Sequence, residues 1–224
     1  MYTETDTDIT PALQSGHTDD CPAVTLVSHI LSWVFSPLLT PTYGMIAIFT
    51  MTPLRFAPLR SIFIVISVIF SLTAILPGLT VWLLTRYGDV ADMALTRRKD
   101  RLYPYIIIIA ALVAAGFYLK IIGTQLWIPS FFWGAAAAAA ICFIINYWWK
   151  ISAHGAGMGG LAALFAVLTR YSFPTVDVWI WLLAAIAVCG LLASARVWLG
   201  RHTPMQTIAG TLVGFICVFI TELI

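Results

Sequence analysis

Residues 104–120 read PYIIIIAALVAAGFYLK, and this run meets no charged residue before Lys120. A helix needs about 20 apolar residues, with a range of roughly 17 to 25, to cross the hydrocarbon core of a bilayer. A strand of a membrane barrel would instead alternate apolar and polar residues over about ten positions. Because backbone groups inside a bilayer must be satisfied internally, this continuous run predicts a transmembrane helix.

Runs of the same kind recur along the rest of the chain. The protein is 61% hydrophobic and only 10% charged, with a mean hydropathy of +0.94, whereas a soluble domain carries roughly 25% charged residues. We therefore predict an all-α fold, a polytopic transmembrane helical bundle of about six to seven spans. The predicted spans are 24–50, 61–85, 104–120, 129–149, 155–170, 178–196 and 205–222.

Two of these spans carry residues that disturb a helix. Pro37 and Pro41 interrupt the first span, which leaves two alternatives, one kinked helix or a re-entrant pair. Pro77 and Gly78 lie in the second span, where they could break the helix.

Two other spans carry clusters of small residues. The alanine run 135–140 predicts a close contact between helices, because small residues let backbones approach. Gly157, Gly159 and Gly160 predict the same, or a place where the backbone comes near a ligand.

The first 23 residues form a separate, polar region. They contain five Asp or Glu residues and no Lys or Arg, the opposite of the positively charged start of a secretory signal. We expect residues 1–23 to be a disordered tail and residues 24–224 to form one transmembrane domain.

The positive charges concentrate at the ends of the predicted spans. Of twelve Lys and Arg residues, five lie in the loop 86–103, and Lys150, Arg196 and Arg201 lie at later span ends. Spans three and four cross and return between the loop and Lys150, and spans five and six cross and return between Lys150 and Arg196. The parity of these crossings predicts that all three segments meet on one side of the membrane.

Such a cluster of cations is typical of an anion site. Cations gathered at one face repel one another unless an anion lies among them, and Arg and Lys donors match phosphate oxygens. The alternative is that the cations only mark the cytoplasmic side. Against it, each later segment contains a histidine, His154 or His202. With an ordinary pKa near 6.5, histidine can serve as nucleophile or general acid.

Three segments resemble the signatures of the type 2 phosphatidic acid phosphatase superfamily, in order and in rough spacing. Residues 195–210, ARVWLGRHTPMQTIAG, resemble the third signature, which is Ser-Arg, five residues, His, three residues and Asp. ISAH at 151–154 resembles the second, Pro-Ser-Gly-His, and RLYP at 101–104 is a loose match to the first, which ends in Arg-Pro. The resemblance covers about residues 97–210.

The resemblance implies a mechanism that needs no metal and no other cofactor. His202 would attack phosphorus and form a phosphohistidine, and His154 would protonate the leaving oxygen. Clustered cations would supply the charge stabilisation that a metal ion otherwise gives. The phosphate-binding residues implied are Lys99, Arg101, Ser152 and Arg196.

The chain departs from the family pattern most clearly at Gln206, where the family has the Asp that orients the nucleophile. A Gln carbonyl can still accept the ring N–H, but its missing charge would weaken activation of His202. Loss of the analogous Asp in a serine-protease triad costs about 10⁴ in rate. The other departures are Ala195 for Ser, Ile151 for Pro, Ala153 for Gly, and Tyr103 for Arg.

The function predicted from these residues is hydrolysis of a phosphomonoester or diphosphate on a membrane lipid. The partners expected are the lipid substrate and the bilayer, with no nucleic acid. One alternative is a catalytically degenerate protein that binds phospholipid or serves in assembly. Another is a small transporter of an anion or lipid, since transporters use broken helices.

The orientation of the protein in the membrane is predicted from the cations that have no role in the predicted site. If the motif cations are functional, the remaining set forms the positive-inside signal. The site would then face outward, which predicts a bacterial inner membrane protein with a periplasmic active site and a cytoplasmic carboxyl terminus. The remaining cations are Arg55, Arg60, Lys120 and Arg170.

Overall fold

A computed structural model describes residues 21–87, 102–171 and 177–223, and all its regular elements in these ranges are helices. The predicted helical bundle is therefore confirmed. A short 3-10 helix, Pro53–Phe56, connects the second and third helices. The helices are α1 (Pro22–Val34), α2 (Thr40–Met51), α3 (Leu59–Arg86), α4 (Leu102–Ile121), α5 (Trp127–Ile145), α6 (Ala153–Tyr171), α7 (Val178–Trp198) and α8 (Pro204–Leu223).

Five of these helices, α3, α4, α5, α7 and α8, are long and apolar enough to cross a bilayer. Their length and composition identify the chain as a membrane protein. Within these ranges α6 is not among the five, because its glycines, His154 and Arg170 lower its mean hydropathy. Ten of its 19 residues are buried, and it packs against α2, α5, α7 and α8, so its surroundings are protein more than lipid.

The contact between α6 and α8 is the most extensive in the bundle and depends on glycine. A Cβ on Gly159 of α6 would collide with the Thr211 carbonyl, and one on Gly214 of α8 would collide with the Ala156 carbonyl. Only glycine lets two backbones approach so closely. The predicted close contact is thus present at Gly159.

The other small residues contact different helices. Gly157 faces Pro37 in the turn before α2 and Thr40 at the start of α2, and Gly160 faces Val218 of α8. Within the alanine run of α5, Ala136 and Ala138 are buried, and just before the run a Cβ on Gly134 would lie 2.8 Å from Cα of Val218 in α8.

The first predicted span consists of two helices, not one kinked helix. Helix α1 ends at Val34, the chain turns through residues 35–39, and α2 begins at Thr40. Pro37 lies in the turn, and Pro41 lies in the first turn of α2, where its missing N–H would have no helical partner. The prolines separate two elements, and α1 starts at Pro22, slightly before the predicted boundary at 23/24.

Helix α3 continues through Pro77 and Gly78, which do not break it. The helix widens into a π turn over Ser71–Ile75 just before the proline. Pro77 has no N–H to donate to the Thr73 carbonyl, and its ring displaces that carbonyl. One wide turn absorbs the displacement, so the break that would favour a transporter is absent between Leu59 and Arg86.

One end of the bundle brings together the predicted motifs. Tyr105 near the start of α4, Cys142 near the end of α5 and Ile151 just before α6 form one buried cluster, and Ala209 of α8 packs against it. The end of α7 joins them through the linker to α8. We call this region, formed by the starts of α4, α6 and α8 and the ends of α5 and α7, the histidine end.

Candidate functional site

The linker between α7 and α8 places Arg196 and His202 beside each other along the backbone. Gly200 has a φ of +62°, the left-handed conformation that commonly ends a helix. The turn directs the N–H groups of Arg201 and His202 to the Arg196 carbonyl, at 3.0 and 3.3 Å. The residues between Arg196 and His202 therefore form a compact turn that ends α7.

Helix α8 begins with a capping box between Thr203 and Gln206. The Thr203 hydroxyl accepts the Gln206 backbone N–H at 3.4 Å, and the Gln206 side-chain carbonyl accepts the Thr203 N–H at 3.2 Å. These two bonds satisfy N–H groups that the first turn of a helix leaves without partners. Gln206 thus has a structural role at the start of α8.

The same Gln206 oxygen also holds the imidazole of His202, whose Nδ1 lies 3.1 Å from Oε1. The Thr203 N–H can only donate, so the Gln206 atom beside it must be the oxygen. An oxygen can only accept from the ring, so Nδ1 carries the hydrogen and Nε2 keeps its lone pair. His202 is buried, at 7% exposure, and the Gln206 oxygen fixes the orientation of its ring.

Ser152 joins the second motif to the third. Its backbone N–H donates to the Gln206 carbonyl at 3.2 Å, and its hydroxyl oxygen accepts the Gly155 N–H at 3.2 Å as the N-cap of α6. The hydroxyl keeps its own hydrogen for a further bond, although Ser152 is fully buried, at 0% exposure. The positive ends of the α6 and α8 dipoles meet at this contact.

His154 lies in the first turn of α6 and points towards α1. Its Nε2 is 3.0 Å from the backbone carbonyl of Ser32. Because a carbonyl only accepts, Nε2 must carry a hydrogen. In the neutral ring, Nδ1 is then the nitrogen with a lone pair.

The structure describes some of the cations of the candidate site but not all of them. Lys150, Arg196 and Arg201 are all partly exposed at the histidine end. Lys99 and Arg101 lie outside the described residues, although α4, which follows them, begins at the same end. Two of the three predicted segments are therefore brought together.

A cavity of about 80 Å³ lies between α2, α4, α5, α6 and α8. Its wall includes Ala153 and Gly157, on either side of His154 in the sequence, and Pro37, Leu112 and Phe131. Most of the lining is apolar, so an apolar space lies close to the start of α6.

Two residues of this site have no predicted role in the sequence analysis. Thr203 could have been found, because Thr-Pro-x-Gln before an apolar run is the pattern of a capping box with proline at the first helical position. Ser32 could not, because it contacts His154 through its backbone carbonyl, which every residue type has.

Comparison of the chain with protein-family models, with curated proteins and with solved structures gives no match. The assignment of a function therefore depends on the residues and geometry described above.

Proposed function

We propose that this protein is an integral membrane phosphatase that hydrolyses a phosphomonoester or diphosphate on a lipid through a phosphohistidine, as in the type 2 phosphatidic acid phosphatase superfamily. The observation that carries the proposal is the shared Gln206 oxygen, which accepts from both Thr203 and His202. With Nδ1–H held by this oxygen, Nε2 of the neutral ring is the nitrogen with the lone pair, which the proposed attack on phosphorus requires.

The proposed reaction has two steps. In the first, Nε2 of His202 attacks phosphorus, the bond from phosphorus to the lipid oxygen breaks, and His154 gives that oxygen a proton. In the second, water attacks the phosphohistidine, gives a proton to His154 and releases phosphate. Arg196, the Ser152 hydroxyl and the two helix N-termini would stabilise the charge on the phosphoryl oxygens, together with Lys99 and Arg101.

A lipid substrate is favoured over a soluble phosphate ester by the position of the candidate site. The apolar cavity lies beside Ala153, next to His154 in the chain, so a phosphate at the motifs would have an apolar space nearby for its hydrocarbon chain. Four of the helices around the motifs, α4, α5, α7 and α8, are long and apolar enough to cross a bilayer.

The proposed topology has seven crossings, one each for α2 to α8, with α1 at the membrane surface. With 12 residues α2 is shorter than a usual span, and nine of these residues are buried within the protein. The histidine end would face the periplasm of a bacterial inner membrane. Arg55, Arg60, Lys120 and Arg170 would then lie on the cytoplasmic side, in agreement with the positive-inside rule.

The proposal is tested by phosphate release from a panel of lipid phosphates by the detergent-solubilised protein. Wild type should release phosphate and form an acid-labile, base-stable phosphoenzyme, and His202→Ala should do neither. His29→Ala is the matched control, because His29 is exposed on α1 and should retain full activity. Release that persists in His202→Ala would contradict the phosphohistidine.

A second candidate is a phospholipid-binding protein without turnover. It is favoured by the neutral side chain of Gln206 and by the structural role of that residue at the start of α8. Binding of a lipid phosphate to wild type and His202→Ala alike, with no release by either, would support this candidate.

A further inference from the structure

Helix α1 turns its hydroxyl-bearing face to the protein and its apolar face outward. Ser28 and Ser32 are its two buried residues. The large apolar side chains Leu26, Ile30 and Trp33 are exposed, which suits a helix that faces lipid on one side. The inward face is thus polar, and it packs beside α7.

Three hydrogen bonds between residues that the structure describes attach α1 to its surroundings. The Trp198 indole N–H donates to the Thr25 hydroxyl at 3.2 Å, and the Tyr43 hydroxyl donates to the Val34 carbonyl at 2.8 Å. The third is the 3.0 Å bond between His154 Nε2 and the Ser32 carbonyl. Trp198 and His154 both belong to the histidine end, so α1 lies across that end.

The Ser32 carbonyl is well suited to hold an imidazole. It lies in the last turn of α1, where carbonyls have no partner within the helix and carry the negative end of the helix dipole. The nearby N–H groups of Phe35 and Ser36 donate to Leu31 and Trp33 instead. A protonated histidine is stabilised in such a place.

We propose that α1 positions His154 for proton transfer, with the Ser32 carbonyl as the acceptor that fixes its ring. This inference rests on the proposed phosphatase function. With Nε2–H held by Ser32, the proton that leaves must come from Nδ1 of the imidazolium. As Nε2 of His202 forms its bond to phosphorus, the Nδ1 proton of His154 moves to the lipid oxygen whose bond to phosphorus breaks.

The two histidines therefore use opposite nitrogens. His154 is left neutral with its hydrogen on Nε2, and the water that attacks the phosphohistidine returns a proton to Nδ1. Helix α1 lies outside the segment that carries the three signatures, so its contribution does not follow from the resemblance.

The test displaces α1 and compares two leaving groups. Ser28→Leu adds bulk on the buried face of α1, whereas Val27→Leu adds it on the exposed face as the matched control. An alkyl phosphate needs a proton on its leaving oxygen, whereas p-nitrophenyl phosphate does not. We expect Ser28→Leu to lower kcat for the alkyl ester by about 10²-fold and for the aryl ester by less than about threefold.

If α1 acts through His154, Ser28→Leu and His154→Ala must affect the same proton transfer. His154→Ala should show the same leaving-group pattern as Ser28→Leu, and the double variant should be no worse than His154→Ala alone. An equal loss with both esters in Ser28→Leu, or no loss with either, would overturn the role of α1. If wild type hydrolyses neither ester, the phosphatase proposal itself fails.

A measurement on the wild-type protein tests directly which ring nitrogen of His154 carries the hydrogen. ¹⁵N NMR of labelled histidine in the full protein, assigned with His154→Ala, should show neutral His154 with its hydrogen on Nε2. A hydrogen on Nδ1 would overturn the inference, whether or not the protein is an enzyme and whether or not Ser28→Leu folds.

Discussion

At the scale of the residue, one oxygen of Gln206 serves both the start of a helix and the orientation of a histidine. Its carbonyl oxygen must reach the Thr203 N–H to begin α8 and must reach Nδ1 of His202 to orient the ring. An uncharged oxygen meets both geometric requirements. What it lacks is the negative charge that would stabilise the imidazole as it becomes positive.

The first prediction restores that charge at the same reach. Gln206→Glu keeps a carboxylate oxygen for both bonds and should raise kcat for a lipid phosphate about tenfold or more, since loss of the equivalent charge in a serine-protease triad costs about 10⁴. Steady-state phosphate release measures the change.

Gln206→Met is the control, because it has similar size and neither bond. It should lower kcat and also destabilise the protein by about 1 kcal/mol through loss of the cap. If Gln206→Glu is as slow as Gln206→Met, charge at this position does not limit the reaction.

The second prediction concerns the turn that ties Arg196 to His202. Gly200→Ala forces a side chain into the left-handed conformation and should destabilise the protein by about 1 to 2 kcal/mol. Gly200→Asn should cost less, since Asn tolerates this conformation. Thermal unfolding in detergent measures both.

Gly78→Ala in α3 is the control for the loss of a glycine, because it has open space around it and φ in the ordinary range. Its unfolding temperature should stay within a few degrees of wild type. Equal unfolding temperatures for Gly200→Ala and Gly78→Ala would show that the turn does not require glycine.

At the scale of the element, the crossing of α6 and α8 decides whether the motifs meet. The glycines of the two helices sit against each other's backbones, and this close approach carries Ser152 to Gln206. The site therefore depends on residues a full turn or more away from its chemistry.

The third prediction concerns a substitution that would push α6 and α8 apart. Gly159→Ala would place a methyl group on the Thr211 carbonyl and should destabilise the protein by about 1 to 3 kcal/mol, as overpacking does. Its phosphatase activity should fall at temperatures where the protein is still folded, because α6 and α8 would carry Ser152 and Gln206 apart.

Gly190→Ala on α7 is the matched control. Gly190 lies in a helix with nothing within 4 Å of an added Cβ, so the change should be neutral or stabilise by about 0.5 to 1 kcal/mol. Equal unfolding temperatures for the two variants would contradict the role given to the crossing.

The helices themselves were predictable to different degrees. For α4 the apolar run 104–120 corresponds to a helix over Leu102–Ile121, because length and apolarity are local properties. For the first span the alternatives were one kinked helix or a re-entrant pair, and the two separate helices α1 and α2 exclude the kinked helix. The π turn in α3 was not predicted, since Pro77 could equally have ended the helix.

At the scale of the whole molecule, counting crossings predicted that the second and third motifs meet, and the bond between Ser152 and Gln206 confirms it. The contact of His154 with Ser32 joins residues 122 apart through a backbone atom. No pattern of side chains marks such an acceptor, so that part of the site required the fold.

The last prediction concerns the orientation of the whole bundle. The cations Arg55, Lys120 and Arg170 lie at helix ends remote from the motifs, and a charge bias of this kind keeps its side cytoplasmic. A reporter fused after Ile224 should therefore be cytoplasmic, whereas one inserted at the exposed Tyr147, beside α6, should be periplasmic. Two cytoplasmic reporters would mean a wrong number of crossings, and a reversed pair would mean that the motif cations themselves mark the cytoplasmic side.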